Sequence, residues 1–277
     1  MEYVEMICHP SPGAHSAELL MTLLADAGFE SFTENENGTL SAFIQAPAYT
    51  PELSSRLSSD EFSEFMDSFL VERIADQNWN AVWESAYDPV LIDGKCMVRA
   101  PFHPEPAGVE FDIVIMPKMS FGTAHHETTK MMIQYLLSLH LTGKSLLDMG
   151  SGTAVLAILA RMKGAYPVTA IDNDEWAYNN ALENVQSNNF ADIEVVLGDS
   201  SLLPGKKFDV IMANINRNIL LNDIPAYVKS LNPGAKLFMS GFYAEDLHLV
   251  ESKAMEVGLS LMSSRSENKW TAACFTL

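Results

Sequence analysis

Two stretches of this chain carry side chains whose types and spacing suit chemistry. The first, SFGTAHHETTK at 120–130, sets His125, His126 and Glu127 side by side between a glycine turn and Thr128–Thr129. Each can ligate zinc or iron, but ligands on one helical face recur at i, i+3 or i+4, and adjacent histidines point in different directions. The spacing therefore argues against a metal. It predicts a helix N-terminus, a polar loop leading into Met131, Met132, Ile133, Tyr135, Leu136 and Leu137. The second stretch, LLDMGSGTAVLAI at 146–158, holds Gly150 and Gly152, which let a chain turn tightly from strand to helix and leave its backbone open to a ligand.

A G-x-G turn serves nicotinamide, flavin and S-adenosylmethionine enzymes alike, and its surroundings narrow the choice. Asp148 precedes Gly150 by two residues, where a carboxylate can face an ammonium group or organise the turn; a pyrophosphate would gain nothing from that charge. Twenty-two residues beyond Gly150, VTAID ends on Asp172, placed to accept hydrogen bonds from a ribose diol. VVLGD brings Asp199 to a third strand end as an adenine-side contact. FDVIMANI brings Asn214 to a fourth, where a carboxamide can accept from an amine and hold it towards a methyl donor. Asp and Asn also favour strand-end turns that have no function. One polar residue closing each of four successive strands favours S-adenosylmethionine.

The elements that must position these residues alternate regularly after residue 140. Strand-like SLLDMG, VTAID, IEVVLGD, FDVIMANI and AKLFMSGF are interleaved with helical VLAILARMKG, DEWAYNNALENVQSNN, NILLNDIPAYVKSL and AEDLHLVESKAMEVG. That order predicts a parallel sheet covered on both faces, with ligands at the carboxyl ends of its strands. Upstream, VLIDGKCMVRA and VEFDIVIM are strand-like runs separated by PFHPEPAG. The first sixty residues read as β-α-β-β: YVEMIC, HSAELLMTLLADAG, FESFTE and TLSAFIQA, with a turn at Glu36, Asn37 and Gly38. This resembles half or more of a ferredoxin-like fold. Between them, DEFSEFMDSFLVERIADQNW sets Phe62, Phe65, Met66, Phe69, Leu70 and Ile74 at helical spacing and predicts a connecting helix.

Composition bounds the partners. A 277-residue chain suffices for one large or two modest domains. Cys8, Cys96 and Cys274 are odd in number and scattered, which suggests reduced thiols and a cytoplasmic setting. No secretory signal or apolar run long enough to span a membrane is evident. A net charge of −19 disfavours naked nucleic acid and anionic membranes and suits a cationic partner, although acidity also serves solubility.

The D-x-G-x-G turn, the acid after the second strand and the Asn of ANI resemble class I methyltransferases. With SFGTAHHETT they resemble the PrmA-type ribosomal protein methyltransferases, whose loop F-G-T-G-x-H-x-T-T is matched by Phe121, Gly122, Thr123, His126, Thr128 and Thr129. Trp79 and Trp83 resemble that family's W-x-x-x-W region, and LFMSGF and ENKWTAACF also fit. The match covers about residues 76–277. Ala124 stands where the family has glycine, which predicts strain if the backbone there keeps a positive φ; Ala154 replaces a third glycine, and His125 and Glu127 replace small or proline residues.

The resemblance implies a class I Rossmann-like sheet behind a small α+β domain, acting as a monomer. Residues 1–60 would recognise substrate, 61–100 would form a linker helix and connector, and 101–277 would be the methyltransferase domain. It implies S-adenosylmethionine contacts at Thr129, Gly150, Asp172 and Asn214, with Gly152 and Asp199 nearby and Phe121 covering the cofactor as part of a lid. The implied reaction is methylation of amines on large-subunit ribosomal protein eleven, with Asn214 orienting the amine and His126 a weaker candidate for removing its proton. Alternatives are a class I methyltransferase of another protein or a small molecule, a cofactor-binding regulator without transfer, and, more distantly, a nicotinamide dehydrogenase.

Overall fold

Val4, Met6 and Cys8 are buried while Tyr3, Glu5 and Ile7, which alternate with them, are half-buried, as a strand with one face on a core requires. The computed structural model describes residues 2–11, 16–35, 37–74, 87–118 and 120–277. The chain divides into two compact units, Met1–Tyr87 and Asp88–Leu277.

In the first unit β1 (Tyr3–Pro10), α1 (Ser16–Asp26), β2 (Ser31–Glu34) and β3 (Leu40–Gln45) follow the expected β-α-β-β order. Two short helices, α2 (Pro51–Leu57) and α3 (Asp60–Ser63), lead to β4 (Met66–Ile74). The sheet is antiparallel with strand order β2-β3-β1-β4. The connecting helix expected from Ser59 onward is thus corrected: Met66–Ile74 is a strand paired with β1, Tyr3 opposite Ile74 and Cys8 opposite Phe69. Helical spacing of Phe62, Phe65, Met66 and Phe69 misled because Phe62 and Phe65 pack from α3 and its exit. The strand's own signal is the period-two pair Phe69 and Val71, which joins the same core, while Leu70 on the opposite face is exposed. Trp79 and Trp83 lie outside the described residues. The expected 61–100 connector is split between the two units at Tyr87 and Asp88.

The second unit opens with β5 (Val90–Ile92), β6 (Cys96–Arg99) and β7 (Phe111–Val114), a three-stranded sheet in that order. VLIDGKCMVRA therefore forms a hairpin, turning at Asp93 and Gly94 with φ of 50° and 65°. Next come α4 (Glu127–Ser138), β8 (Leu146–Met149), α5 (Val155–Met162), β9 (Val168–Asp172), α6 (Glu175–Ser187), β10 (Glu194–Leu197) and β11 (Phe208–Asn214). Finally α7 (Arg217–Lys229), β12 (Leu231–Tyr243), α8 (Leu247–Glu256), β13 (Ser260–Glu267) and β14 (Trp270–Thr276) complete the unit.

The large sheet has the order β10-β9-β8-β11-β12-β14-β13. Strands β8 to β12 are parallel as expected, but β14 runs antiparallel to β12 and β13 antiparallel to β14, so the sheet is mixed. Alternation along the strands builds a core on each face. Leu146, Val168, Val210, Met212 and Phe238 join α4, α5 and α6, whereas Leu147, Ile171, Ile211, Leu237 and Met239 join α7 and α8. Two-sided burial explains why these strands read as nearly continuous apolar runs. Parallel pairing puts the carboxyl ends of β8, β9, β10 and β11 along one edge.

Candidate active site

His126 begins the site. Its backbone is extended, and its Nδ1 accepts from the Thr128 N–H at 3.3 Å, capping α4. The expected helix start is found one residue after the second histidine. The two imidazoles turn to different partners: His125 Nε2 lies 2.9 Å from the Asp88 carbonyl, while His126 stands edge-on between the rings of Phe121 and Trp270. Among the described residues no three His, Cys, Asp or Glu side chains gather as metal ligands would. Glu127 accepts from Asn268 Nδ2 at 2.9 Å, and that hydrogen bond holds its carboxyl below the usual range. Lys130 pairs with Glu267 at 2.6 Å. His126, Glu127 and Lys130 thus tie the start of α4 to the hairpin between β13 and β14, while His125 ties the loop to Asp88.

One turn into α4, Thr129 is buried and its Oγ1 accepts from Asn214 Nδ2 at 3.3 Å. Helix α4 packs on the face that carries Met212 and Phe238, which brings Thr129 to the end of β11, and β8 and β11 are neighbours, so the glycine turn after β8 shares that edge. Gly150 and Gly152 have φ of 69° and 53°. A Cβ on Gly150 would run into the Ile215 side chain, and one on Gly152 would run into the Phe121 carbonyl. Both glycines are needed twice over, for their backbone region and for the close approach.

Asp172 organises this turn. Its Oδ2 accepts from the Gly152 N–H at 2.8 Å and its Oδ1 from the Asp174 N–H at 3.0 Å. Each oxygen keeps a second lone pair for a hydroxyl. Asp199 lies one strand further on, where its Oδ1 accepts from the Ser201 N–H at 2.9 Å; hydrogen bonding from Ser201 holds its carboxyl below the usual range. A cavity of about 960 Å3 borders Asn173 and Asp199 and continues along α7 past Ile219 and Asp223, but Thr129 and Asn214 do not line it.

Four buried side-chain atoms among the described residues lack a hydrogen-bond partner: Asp148 Oδ1, Ser151 Oγ, Asn180 Oδ1 and Asn214 Oδ1. Leaving such atoms unpaired costs about 1–3 kcal/mol each. Three of the four sit at the carboxyl ends of β8 and β11. Burial pushes the Asp148 carboxyl up to about 8 against the pull of the Ala157 N–H, and Asp172 nearby adds to the rise. Unsatisfied acceptors converging on one edge suit a ligand that brings both a cation and N–H donors, as S-adenosylmethionine does.

The family model described as "Ribosomal protein L11 methyltransferase (PrmA)" matches residues 15–276. The chain belongs to the ribosomal protein L11 methyltransferase family. Relatives of that name include one from Bacteroides fragilis, 45% identical with all of both chains covered, and one from Bacteroides thetaiotaomicron, 43% identical with equal coverage. A more distant ribosomal protein L11 methyltransferase, from Chlorobaculum tepidum, is 33% identical over 92% of this chain and 91% of its own. Among solved structures, a ribosomal protein L11 methylase from Lactobacillus delbrueckii subsp. bulgaricus superposes with a TM-score of 0.63 at 26% identity, covering 69% of this chain and 98% of that one. As a ribosomal protein L11 methyltransferase, the chain is an S-adenosylmethionine-dependent enzyme, and its parallel strands carry the Rossmann-like arrangement of class I methyltransferases.

Aromatic rings surround His126, and of these only Tyr243 lies outside the quoted motifs. Trp270 stands 4.8 Å from the His126 ring and 4.3 Å from the ring of Tyr243, and Phe121 lies 5.1 Å from His126, all centroid to centroid. Tyr243 is 44% exposed and Phe121 51%. Trp270 and Tyr243 are Cα partners, three positions beyond the register at which Ser240 meets Asn214. The only signal of Tyr243 in the sequence is a large ring at a strand end, which periodicity does not rank.

Proposed function

We propose that this enzyme methylates amino groups of ribosomal protein L11, lysine side chains or the N-terminal amine, with Asn214, held by Thr129, orienting the acceptor nitrogen. The observation that carries this reading is the buried, unpartnered Asn214 Oδ1 beside an Asn214–Thr129 hydrogen bond. The carboxamide is fixed through its nitrogen, which leaves its oxygen to accept from an amine N–H.

Bound S-adenosylmethionine supplies an already activated sulfonium methyl. The protein must then deliver an uncharged amine in line with it. A lysine has a reference pKa of about 10.4, and burial beside a cation favours its neutral form. Asn214 orients that amine, with Thr129, Gly150, Gly152, Asp172 and Asp199 forming the cofactor side and Phe121 covering it. Because His126 Nδ1 is engaged in capping α4, proton removal by solvent is favoured over removal by that atom. The rings of Phe121, His126, Trp270 and Tyr243 suit an incoming ammonium, for which aromatic faces supply cation–π attraction.

The first unit is the proposed recognition domain. Residues 1–87 contain fifteen Asp and Glu against two cationic side chains, Arg56 and Arg73. On the sheet face opposite the core, Glu5 lies directly across from Glu72, beside the Ile7–Leu70 pair. Like charges facing each other are destabilising unless a cation intervenes, which suits a basic, partly apolar partner surface. A ribosomal acceptor is met in the cytoplasm, and no helix among the described residues is long and apolar enough to cross a membrane.

Methyl transfer from labelled S-adenosylmethionine should be measured with ribosomal protein L11, free lysine and ribosomal RNA as competing acceptors. Label in the protein alone is expected. Label in the RNA, or equal labelling of free lysine, would overturn the proposal.

A further inference from the structure

Beyond the glycine turn, the chain carries a hydrogen-bond circuit that no catalytic step uses. Helix α6 and its C-cap present Asn180, Asn184 and Asn188 at i, i+4 spacing, all buried. Asn188 Oδ1 accepts from the Val114 N–H at 2.9 Å and its Nδ2 donates to the Val114 carbonyl at 2.7 Å, so it occupies the free edge of β7 as a strand would. Asn184 Oδ1 accepts from the Met116 N–H at 2.9 Å, and its Nδ2 donates to the Thr153 carbonyl at 3.1 Å. Thr153 in turn reaches the loop. Its N–H donates to the Phe121 carbonyl at 2.9 Å and its Oγ1–H to the Gly122 carbonyl at 2.7 Å.

The bonds run from Met116 to Asn184, from Asn184 to Thr153, and from Thr153 to Phe121 and Gly122. Its weakest member is Asn180, which reaches the Met116 carbonyl only at 3.4 Å and leaves its Oδ1 unpartnered. The ladder therefore holds Val114 firmly and loosens towards the loop. Thr153 and Asn184 are both fully buried, and Thr153 directly follows Gly152.

We propose that Thr153 and Asn184 are positioning residues that fasten both ends of the 116–122 segment to the glycine turn, so that the backbone receiving the cofactor also sets the place of Phe121. This rests on the reading that Phe121 covers the cofactor. The coupling runs both ways, because a ligand that orders the Gly150–Thr153 turn steadies the loop through the same four hydrogen bonds. Neither residue needs to touch the cofactor or the acceptor.

The test uses the full-length protein with Thr153→Val, which keeps the shape and removes the donor to Gly122, and Thr153→Ser, which keeps the donor. Hydrogen exchange of the 116–126 segment is read with and without S-adenosylmethionine, beside kcat and cofactor Kd. Loss of one buried hydrogen bond predicts about tenfold faster exchange in Thr153→Val and about tenfold lower kcat, with cofactor Kd changed less than about threefold. Thr153→Ser should restore both. Unchanged exchange in a folded Thr153→Val overturns the clamp, as does faster exchange with kcat unaltered. A cofactor affinity that falls in step with kcat would make Thr153 a binding residue and also overturns it. If the wild-type protein transfers no methyl group to ribosomal protein L11, the acceptor reading fails, yet protection of the segment by cofactor in wild type and its loss in Thr153→Val still decide the clamp. Should Thr153→Val fail to fold, Asn184→Asp, which keeps the acceptor for Met116 and removes the donor to Thr153, is read in the same way.

Discussion

Asn214 Nδ2 donates to Thr129 Oγ1 across 3.3 Å although 85 residues separate the two in sequence. The bond spends the amide's nitrogen on the protein and leaves its oxygen buried without a partner. Replacing Asn214 by Ala should lower kcat about 100-fold, the loss expected when a positioned nucleophile is left free, while cofactor Kd stays nearly constant. Thr129→Val removes the anchor of that amide together with a cofactor-side hydroxyl and should cost about tenfold in kcat with a weaker cofactor Kd. Steady-state kinetics with calorimetric cofactor titration separate the two effects.

Gly152 joins cofactor turn and loop. Its φ of 53° and the Phe121 carbonyl above it leave no place for a methyl group. Gly152→Ala should cost about 1–2 kcal/mol of stability from backbone strain alone. It should also displace Phe121 and abolish turnover. Urea unfolding and steady-state kinetics check both; a variant of wild-type stability and rate would refute the close approach.

Asp148 predicts a pH dependence. Burial raises its carboxyl in the folded protein to about 8, whereas the unfolded chain ionises it near 3.8. Between those values the folded state holds a proton that the unfolded state has lost, so this group's contribution to stability declines as pH rises from about 4 to about 8. Asp148→Asn should flatten that slope in the cofactor-free protein. Binding of a cationic cofactor beside the carboxyl should release a proton near neutral pH. Calorimetry in buffers of differing ionisation enthalpy reads the release directly; none detected would mean that Asp148 keeps its proton.

The first unit should act on KM. Glu5→Lys together with Glu72→Lys reverses two facing charges on the open sheet face. The pair should raise KM for the ribosomal protein about tenfold or more, with the largest effect at low salt, and leave cofactor affinity unchanged. An unaltered KM would remove this face from recognition.

Most of the second unit was legible from its sequence because two-sided burial makes each parallel strand a short apolar run and each helix a polar-flanked one. Asp172 and Asn214 could be picked out because they end such runs. Met66–Ile74 was misread as a helix because Phe62, Phe65, Met66 and Phe69 satisfy helical spacing, while β1's unpaired edge, which the sequence does not display, claims the segment as a strand. Ser260–Glu267 was missed because an outer strand with an exposed face carries polar residues at most positions. The positive φ that the replacement of glycine by Ala124 puts at issue is present: it is 68°, and Ala154 shares that region at 63°. The tie from Asn184 through Thr153 to Phe121 had no signal, since a buried asparagine on a helix looks like any polar position.

Mass spectrometry of ribosomal protein L11 after incubation with S-adenosylmethionine and either wild type or Asn214→Ala tests the central claim most directly. Wild type should add whole methyl increments that fragment analysis locates on amines, and Asn214→Ala should add almost none under the same conditions despite binding cofactor. Increments on atoms other than amine nitrogen, or equal methylation by Asn214→Ala, would contradict the account.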